Sequence, residues 1–165
     1  MTPDPAAAVA DRATSPTLPR PKWLALRDRP DAIHRLRVFV GAAVFGLPYA
    51  ADEIELIAVE LVTNALQHVV RKLKLAPDLW PIGVELTATS RYVHVAVSDP
   101  DHRPMPAADA GGQLAEHGRG IGIVDQLVAG RWTVYAEHGK TVHVVVAAPE
   151  VELTADELEQ IGAPA

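Results

Sequence analysis

The chain contains no cysteine, which excludes disulfide frameworks, thiolate zinc sites and cysteine nucleophiles and agrees with a reducing compartment. No apolar run approaches the roughly 20 residues needed to cross a bilayer. No cationic stretch leads into an apolar one at the N-terminus, so a secretory signal is not expected either. These absences lead us to expect a cytoplasmic protein without a membrane partner. Positive charge is in deficit: 15 Lys and Arg stand against 21 Asp and Glu, a formal charge of -6. Neutralising a phosphate backbone takes clustered cations, so no direct nucleic-acid partner is expected. What is present is a 165-residue chain with a 48% hydrophobic share, one domain's worth with room for a real core.

The first 21 residues carry five of the 14 prolines and little that could be buried, which reads as a disordered Pro/Ala-rich tail. Order is expected from Trp23, where WLAL suits a first or edge strand. Pro30 and Asp31 then suit the first turn of a helix, whose Ile33, Leu36, Val40, Ala43 and Val44 recur at three- and four-residue steps. Gly46 and Pro48 punctuate it. A second helix is predicted from about Asp52 to Val70, burying Ile54, Ile57, Leu61, Ala65 and Val69. The cations Arg71, Lys72 and Lys74 that follow match the negative end of a helix. Residues 71–81 form a connection of no evident function.

Two strands follow, GVELTATS and YVHVAVSD, each alternating apolar and polar, with a turn near Ser90 and Arg91. From Pro100 to Gly118 the pattern collapses into a long loop rich in Pro, Gly and Ala. A short helix is predicted over about 119–128, then strands RWTVYAE and KTVHVVVAA turning at His138-Gly139. TADELEQ carries a capping-box spacing, Thr154 to Glu157, that predicts a short surface helix. The order β-α-α-β-β-loop-α-β-β, with most strand pairs tight hairpins, predicts an α+β two-layer sandwich. Its sheet is expected to be mixed and mostly antiparallel, with helices on one face. The expected organisation is a tail over 1–21, a domain over 22–149 and a C-terminal tail with a short helix over 150–165.

Four features could carry chemistry. In ELVTNALQH, Glu60 and Asn64 project from one face of the second helix, a turn apart. An isolated pair of this kind is an inert solvated face, but Asn is a poor mid-helix residue and is usually there for a reason. In HGRGIGIVDQLV, Gly118, Gly120 and Gly122 open a helix whose free N–H groups form an anion site. No strand feeds that loop, so the dinucleotide-fold reading fails. Asp99 ends a strand, where an acid beside Pro100 is ordinary turn chemistry. Gly139-Lys140-Thr141 reads like the end of a P-loop, but the Walker pattern needs a glycine where Val134 stands, and strands flank the tripeptide.

Each feature alone permits a bland turn or cap reading; their order does not. A helical E-x-x-x-N, an Asp at a strand end, a long loop into a G-x-G helix start and a closing glycine-threonine hairpin together resemble the ATP-binding module of histidine kinases, gyrase and MutL, the GHKL superfamily with its Bergerat-type fold. Over about residues 23–148 the chain is most similar to the anti-sigma-factor serine kinases and the small actinobacterial ATP-binding regulators like them. ELVTNA is the most specific piece, supported by GRGIGIVDQLV and GKTVHVVV.

The resemblance implies roles residue by residue. Asn64 would be the Mg²⁺ ligand beside the triphosphate, a hard cation taking an amide oxygen. Glu60 would be the catalytic general base. Asp99 would accept from the adenine amine and repel guanine, whose oxygen there is a like-signed acceptor. Gly118, Arg119, Gly120, Ile121 and Gly122 would cradle phosphates, residues 100–117 would form a lid, and Thr141 would support Asp99. His68, a turn beyond Asn64, suits packing or capping better than catalysis. ATP and Mg²⁺ are the implied cofactors. A sigma factor and a STAS-like anti-sigma antagonist are the implied partners, with a possible homodimer.

One departure stands out: where the larger family has D-x-G-x-G, this chain has Asp99-Pro100-Asp101-His102-Arg103. Pro100 removes a donor and Asp101 adds negative charge near a polyanion. The leading expectation is an ATP-dependent anti-sigma-type regulator with protein serine/threonine kinase activity. The alternatives are a nucleotide-weak, non-catalytic partner-binding module of the same fold and a stand-alone catalytic domain of the histidine-kinase type.

Overall fold

The computed structural model of the chain describes residues 19–67, 81–100 and 119–163. Its elements run β1 (Lys22–Leu26), α1 (Ala32–Val44), α2 (Ala51–Gln67), β2 (Ile82–Ala88), β3 (Tyr92–Asp99), α3 (Arg119–Leu127), β4 (Gly130–Ala136), β5 (Gly139–Ala147) and α4 (Ala155–Ile161). Periodicity gives these elements to within a few residues, because each strand or helix must turn its apolar side chains one way. The readings placed on 1–18, His68, Val69, the cations at 71, 72 and 74, the loop over 101–117 and Gly118 lie outside the described residues.

The strands form one sheet in the order β1-β2-β3-β5-β4. The expected sheet was mixed and mostly antiparallel; all four pairings are antiparallel. The reason is in the connections: β2–β3 and β4–β5 are hairpins, and β5 returns to lie between its own partner β4 and the central β3.

One face of the sheet is buried under helices. Val84 and Leu86 of β2, Val93, Val95 and Val97 of β3, and Val142, Val144 and Val146 of β5 share a core with α1 and α2. α1 contributes Leu36, Val40 and Val44, and α2 contributes Ile54, Ile57, Leu61 and Val62. α3 joins the same side through buried Val124, and the Asp125 carboxylate accepts two hydrogen bonds from the Arg131 guanidinium of β4. Burying a Val, Leu or Ile side chain contributes about 1.5–3 kcal/mol, so this layer holds the fold together. Tyr49, between α1 and α2, donates to the Thr89 carbonyl at the β2–β3 turn at 2.8 Å and ties the helix pair to the sheet.

The opposite face carries Thr87, His94, Ala96, Ser98, Thr141, His143 and Trp132, the alternate residues of the same strands. Trp132 and His143 stack with ring centroids 5.1 Å apart, and His94 stacks on His143 at 5.3 Å. His94 Nε2 and His143 Nδ1 share a hydrogen bond at 3.1 Å. Burial holds both imidazoles below their ordinary range, His94 down to about 4, with the charge of His143 adding to the effect on His94.

Helices on one face were expected, and α1, α2 and α3 follow that rule; α4 departs from it. Leu158 lies 3.5 Å from where a side chain on Gly130 would begin, and Gly162 sits over the Trp132 ring. The capping box predicted from TADELEQ is formed: the Thr154 hydroxyl accepts from the Glu157 N–H, and the Glu157 carboxylate accepts from the Thr154 N–H. The same carboxylate takes the Arg91 guanidinium at 2.7 Å, fastening α4 to the β2–β3 turn.

Candidate functional site

The cleft of interest opens where the last turns of α2 pass over the ends of β3 and β5. Its walls are Leu61, Asn64 and Ala65 of α2, Val97 and Asp99 of β3, and Lys140 and Val142 of β5. Four of these are apolar and three polar, a composition suited to holding a flat ring edge-on to a few directing groups.

Asp99 arrives there by strand alternation. Val93, Val95 and Val97 face the helices, so Asp99 continues their row and is itself buried. In the register, Asp99 stands opposite Lys140. The Lys140 ammonium lies 3.3 Å from the Asp99 Oδ1, and both side chains are only 3% exposed. A buried ion pair of this kind is costly to break by removing one partner.

The approach of the two strands depends on Gly139. It has φ +145°, and a Cβ there would sit 2.2 Å from the Asp99 carbonyl oxygen. Only glycine allows β5 to begin so close to the end of β3.

Asn64 comes from α2. Its amide nitrogen is buried and, among the described residues, has no hydrogen-bond partner. A buried, unanswered amide donor is costly in a finished core and is expected where a ligand supplies the acceptor. Glu60 sits one turn earlier on α2, half-buried, and is not among the residues that wall the cleft. The two residues that the sequence pairs at i and i+4 are both half-buried, and of the two Asn64 walls the cleft.

Thr141 was expected to support Asp99, and the register corrects this. Thr141 pairs with Ser98, and their hydroxyls are 2.9 Å apart on the sheet face away from the helices. Consecutive residues of a strand point to opposite faces, so with Val142 inward Thr141 points out and Lys140 points in. The signal for Lys140 was in the sequence: it shares its parity with Val142, Val144 and Val146. The family resemblance placed the role on the threonine instead.

The glycine-rich segment forms the start of α3, with Arg119, Gly120, Ile121 and Gly122 in its first turn. Among the described residues, a side chain at Gly122 would meet nothing within 4 Å. α3 packs beside α2, bringing this helix N-terminus to the helical layer that also carries Asn64. Among the described residues no group of three His, Cys, Asp or Glu side chains could hold a metal ion by itself. Asn64 offers a single hard oxygen, which is adequate for Mg²⁺ when phosphates complete the shell. The residues present thus fit a nucleotide and its cation: an acceptor for a base amine, an amide with an unanswered donor, apolar walls and a glycine-bearing helix start.

Among the described residues no helix is long and apolar enough to cross a membrane. No curated protein matches the chain. The profile of the histidine kinase-like ATPase domain matches residues 26–146, from the last residue of β1 to within one residue of the end of β5, and includes every residue that walls the cleft. With an antiparallel five-stranded sheet under α1, α2 and α3 and an Asn–Asp cleft between the layers, the chain belongs to the histidine kinase-like ATPase domain family, the ATP-binding α/β sandwich of the GHKL type.

Proposed function

We propose that the chain is an ATP- and Mg²⁺-dependent regulator of the anti-sigma-factor type, with protein serine/threonine kinase activity toward a small STAS-like antagonist. A sigma factor would be its captive partner, and the working unit would be a cytoplasmic homodimer. The observation that carries the reading is the Asn64 amide, buried and unanswered in a cleft that also holds the Asp99 carboxylate.

In this reading Asn64 holds Mg²⁺ and Asp99 accepts from the adenine amine. The Arg119–Gly122 turn and Gly118 receive phosphate oxygens through backbone N–H groups. Mg²⁺, when bound, neutralises phosphate charge. Glu60, one turn from Asn64, takes the proton from the attacking Ser or Thr hydroxyl, and catalysis otherwise rests on positioning.

Purified protein, Mg-ATP and the candidate antagonist should give a phosphorylated antagonist. Glu60→Ala should slow that labelling by about 10²–10⁴-fold, the usual contribution of a general base, with ATP binding retained. Labelling at the wild-type rate removes Glu60 from the mechanism.

A second reading, a nucleotide-weak module that works by partner capture, is favoured by one observation. The Asp99 carboxylate is already engaged by Lys140, and the space between the cleft's side chains is about 20 Å³, room for a single water. Titration calorimetry with Mg-ATP separates the two: absence of heat at millimolar nucleotide selects partner capture.

A further inference from the structure

Lys140 answers to none of the roles assigned above, yet it is one of the residues that wall the cleft. Its ammonium ends on the Asp99 carboxylate at 3.3 Å with 3% of the side chain exposed. A donor that meets Asp99 Oδ1 in this structure is therefore an N–H group of the protein itself. About 20 Å³ of space remains between the described walls of the cleft, and the Asp99 Oδ1 is already taken by the lysine.

We propose that Lys140 is an internal stand-in for the amine of the base, held on Asp99 until a nucleotide that brings its own N–H donor displaces it. This deepens the nucleotide-binding reading of the cleft and rests on it.

The exchange is of hydrogen bonds only. The ammonium N–H leaves the Asp99 carboxylate, an exocyclic amine N–H takes its place, and Lys140 carries its full charge outward to solvent or to anionic phosphate oxygens. An ammonium is strongly hydrated and sits on a flexible four-carbon stem, so it can make that move. A 6-oxo purine cannot complete the exchange at the same position. It would set an acceptor against the carboxylate. The lysine thus makes entry conditional on the base. It also lowers apparent affinity, because each binding event must first break the buried pair.

The test titrates the full chain with adenosine, a probe without phosphate charge, and in parallel with Mg-ATP and inosine. Lys140→Met should bind adenosine about tenfold tighter or more than wild type, with no gain for inosine. The double variant Asp99→Asn/Lys140→Met should lose the gain. On the unaltered protein, acetylation followed by mass spectrometry should find Lys140 protected in the absence of ligand, and modified about tenfold faster or more when adenosine is saturating. This second readout stands even if Lys140→Met fails to fold. Wild-type binding of Mg-ATP together with unchanged adenosine affinity in Lys140→Met and unchanged protection of Lys140 overturns the stand-in and spares the nucleotide reading. No binding of ATP or adenosine by wild type or variant overturns both.

Discussion

Buried donors without partners occur on both faces of the sheet among the described residues, at Asn64 in the cleft and at the Trp132 indole on the far side. The first has a functional reading, the second belongs to the stack of Trp132, His143 and His94. That stack makes the fold sensitive to acid. An imidazole whose folded pKa lies below its unfolded value binds fewer protons when folded, so stability is complete above about pH 6.5 and is lost as pH falls toward about 4. We expect melting curves to record a loss of order 2–3 kcal/mol across that window, and His94→Asn to flatten the slope. An unchanged slope in that variant would place the acid sensitivity elsewhere. None of this was legible beforehand: three rings on three strands meet only through the register. Asp99 was legible, because the alternation of Val93, Val95 and Val97 carries it inward. For Thr141 the role came from the family resemblance, which does not say which residue of the glycine-led tripeptide faces the helices; counting back from Val142 does.

At the scale of elements, the start of β5 is the most constrained place in the described chain. Gly139 combines φ +145° with the 2.2 Å approach of the Asp99 carbonyl oxygen, so Gly139→Ala must either part β3 from β5 or move Asp99. We expect a loss of about 2–4 kcal/mol in thermal unfolding, together with loss of ATP binding, since the same shift displaces the cleft's carboxylate. Retention of both stability and binding would show that the hairpin tolerates the strain. The elements were largely legible, since long runs of period 2 or 3.6 leave little choice of type. The capping box of α4 was readable from Thr154 and Glu157 alone. Its docking over Trp132 was not, because a short helix with no buried residue of its own gives no sign of which surface it meets. Nor could hairpins alone say that the sheet is wholly antiparallel; that follows from where β5 inserts.

For the molecule as a whole, ligand and fold are linked. A nucleotide that binds only the folded state adds about 2.7 kcal/mol at a hundredfold excess over its Kd. For a domain of this size that raises the melting temperature by roughly 5–10 °C. We expect Mg-ATP to produce such a shift in wild type and Asn64→Ala to abolish most of the magnesium-dependent part. Equal shifts in both proteins would remove Asn64 from the cation site.

The strand order β1-β2-β3-β5-β4 carries a further consequence. During translation β1, β2 and β3 emerge first and can pair, yet the inner border of β3 stays without its neighbour until the ribosome has released residue 147. Through that interval the nascent sheet offers a bare row of amides and carbonyls bearing valines, the kind of border that pairs with other chains. Asp99 waits in the same half, and its lysine counter-ion is among the last residues of the sheet to be synthesised. Completion of the binding cleft and closure of the vulnerable border are therefore one event, timed by the arrival of a single strand.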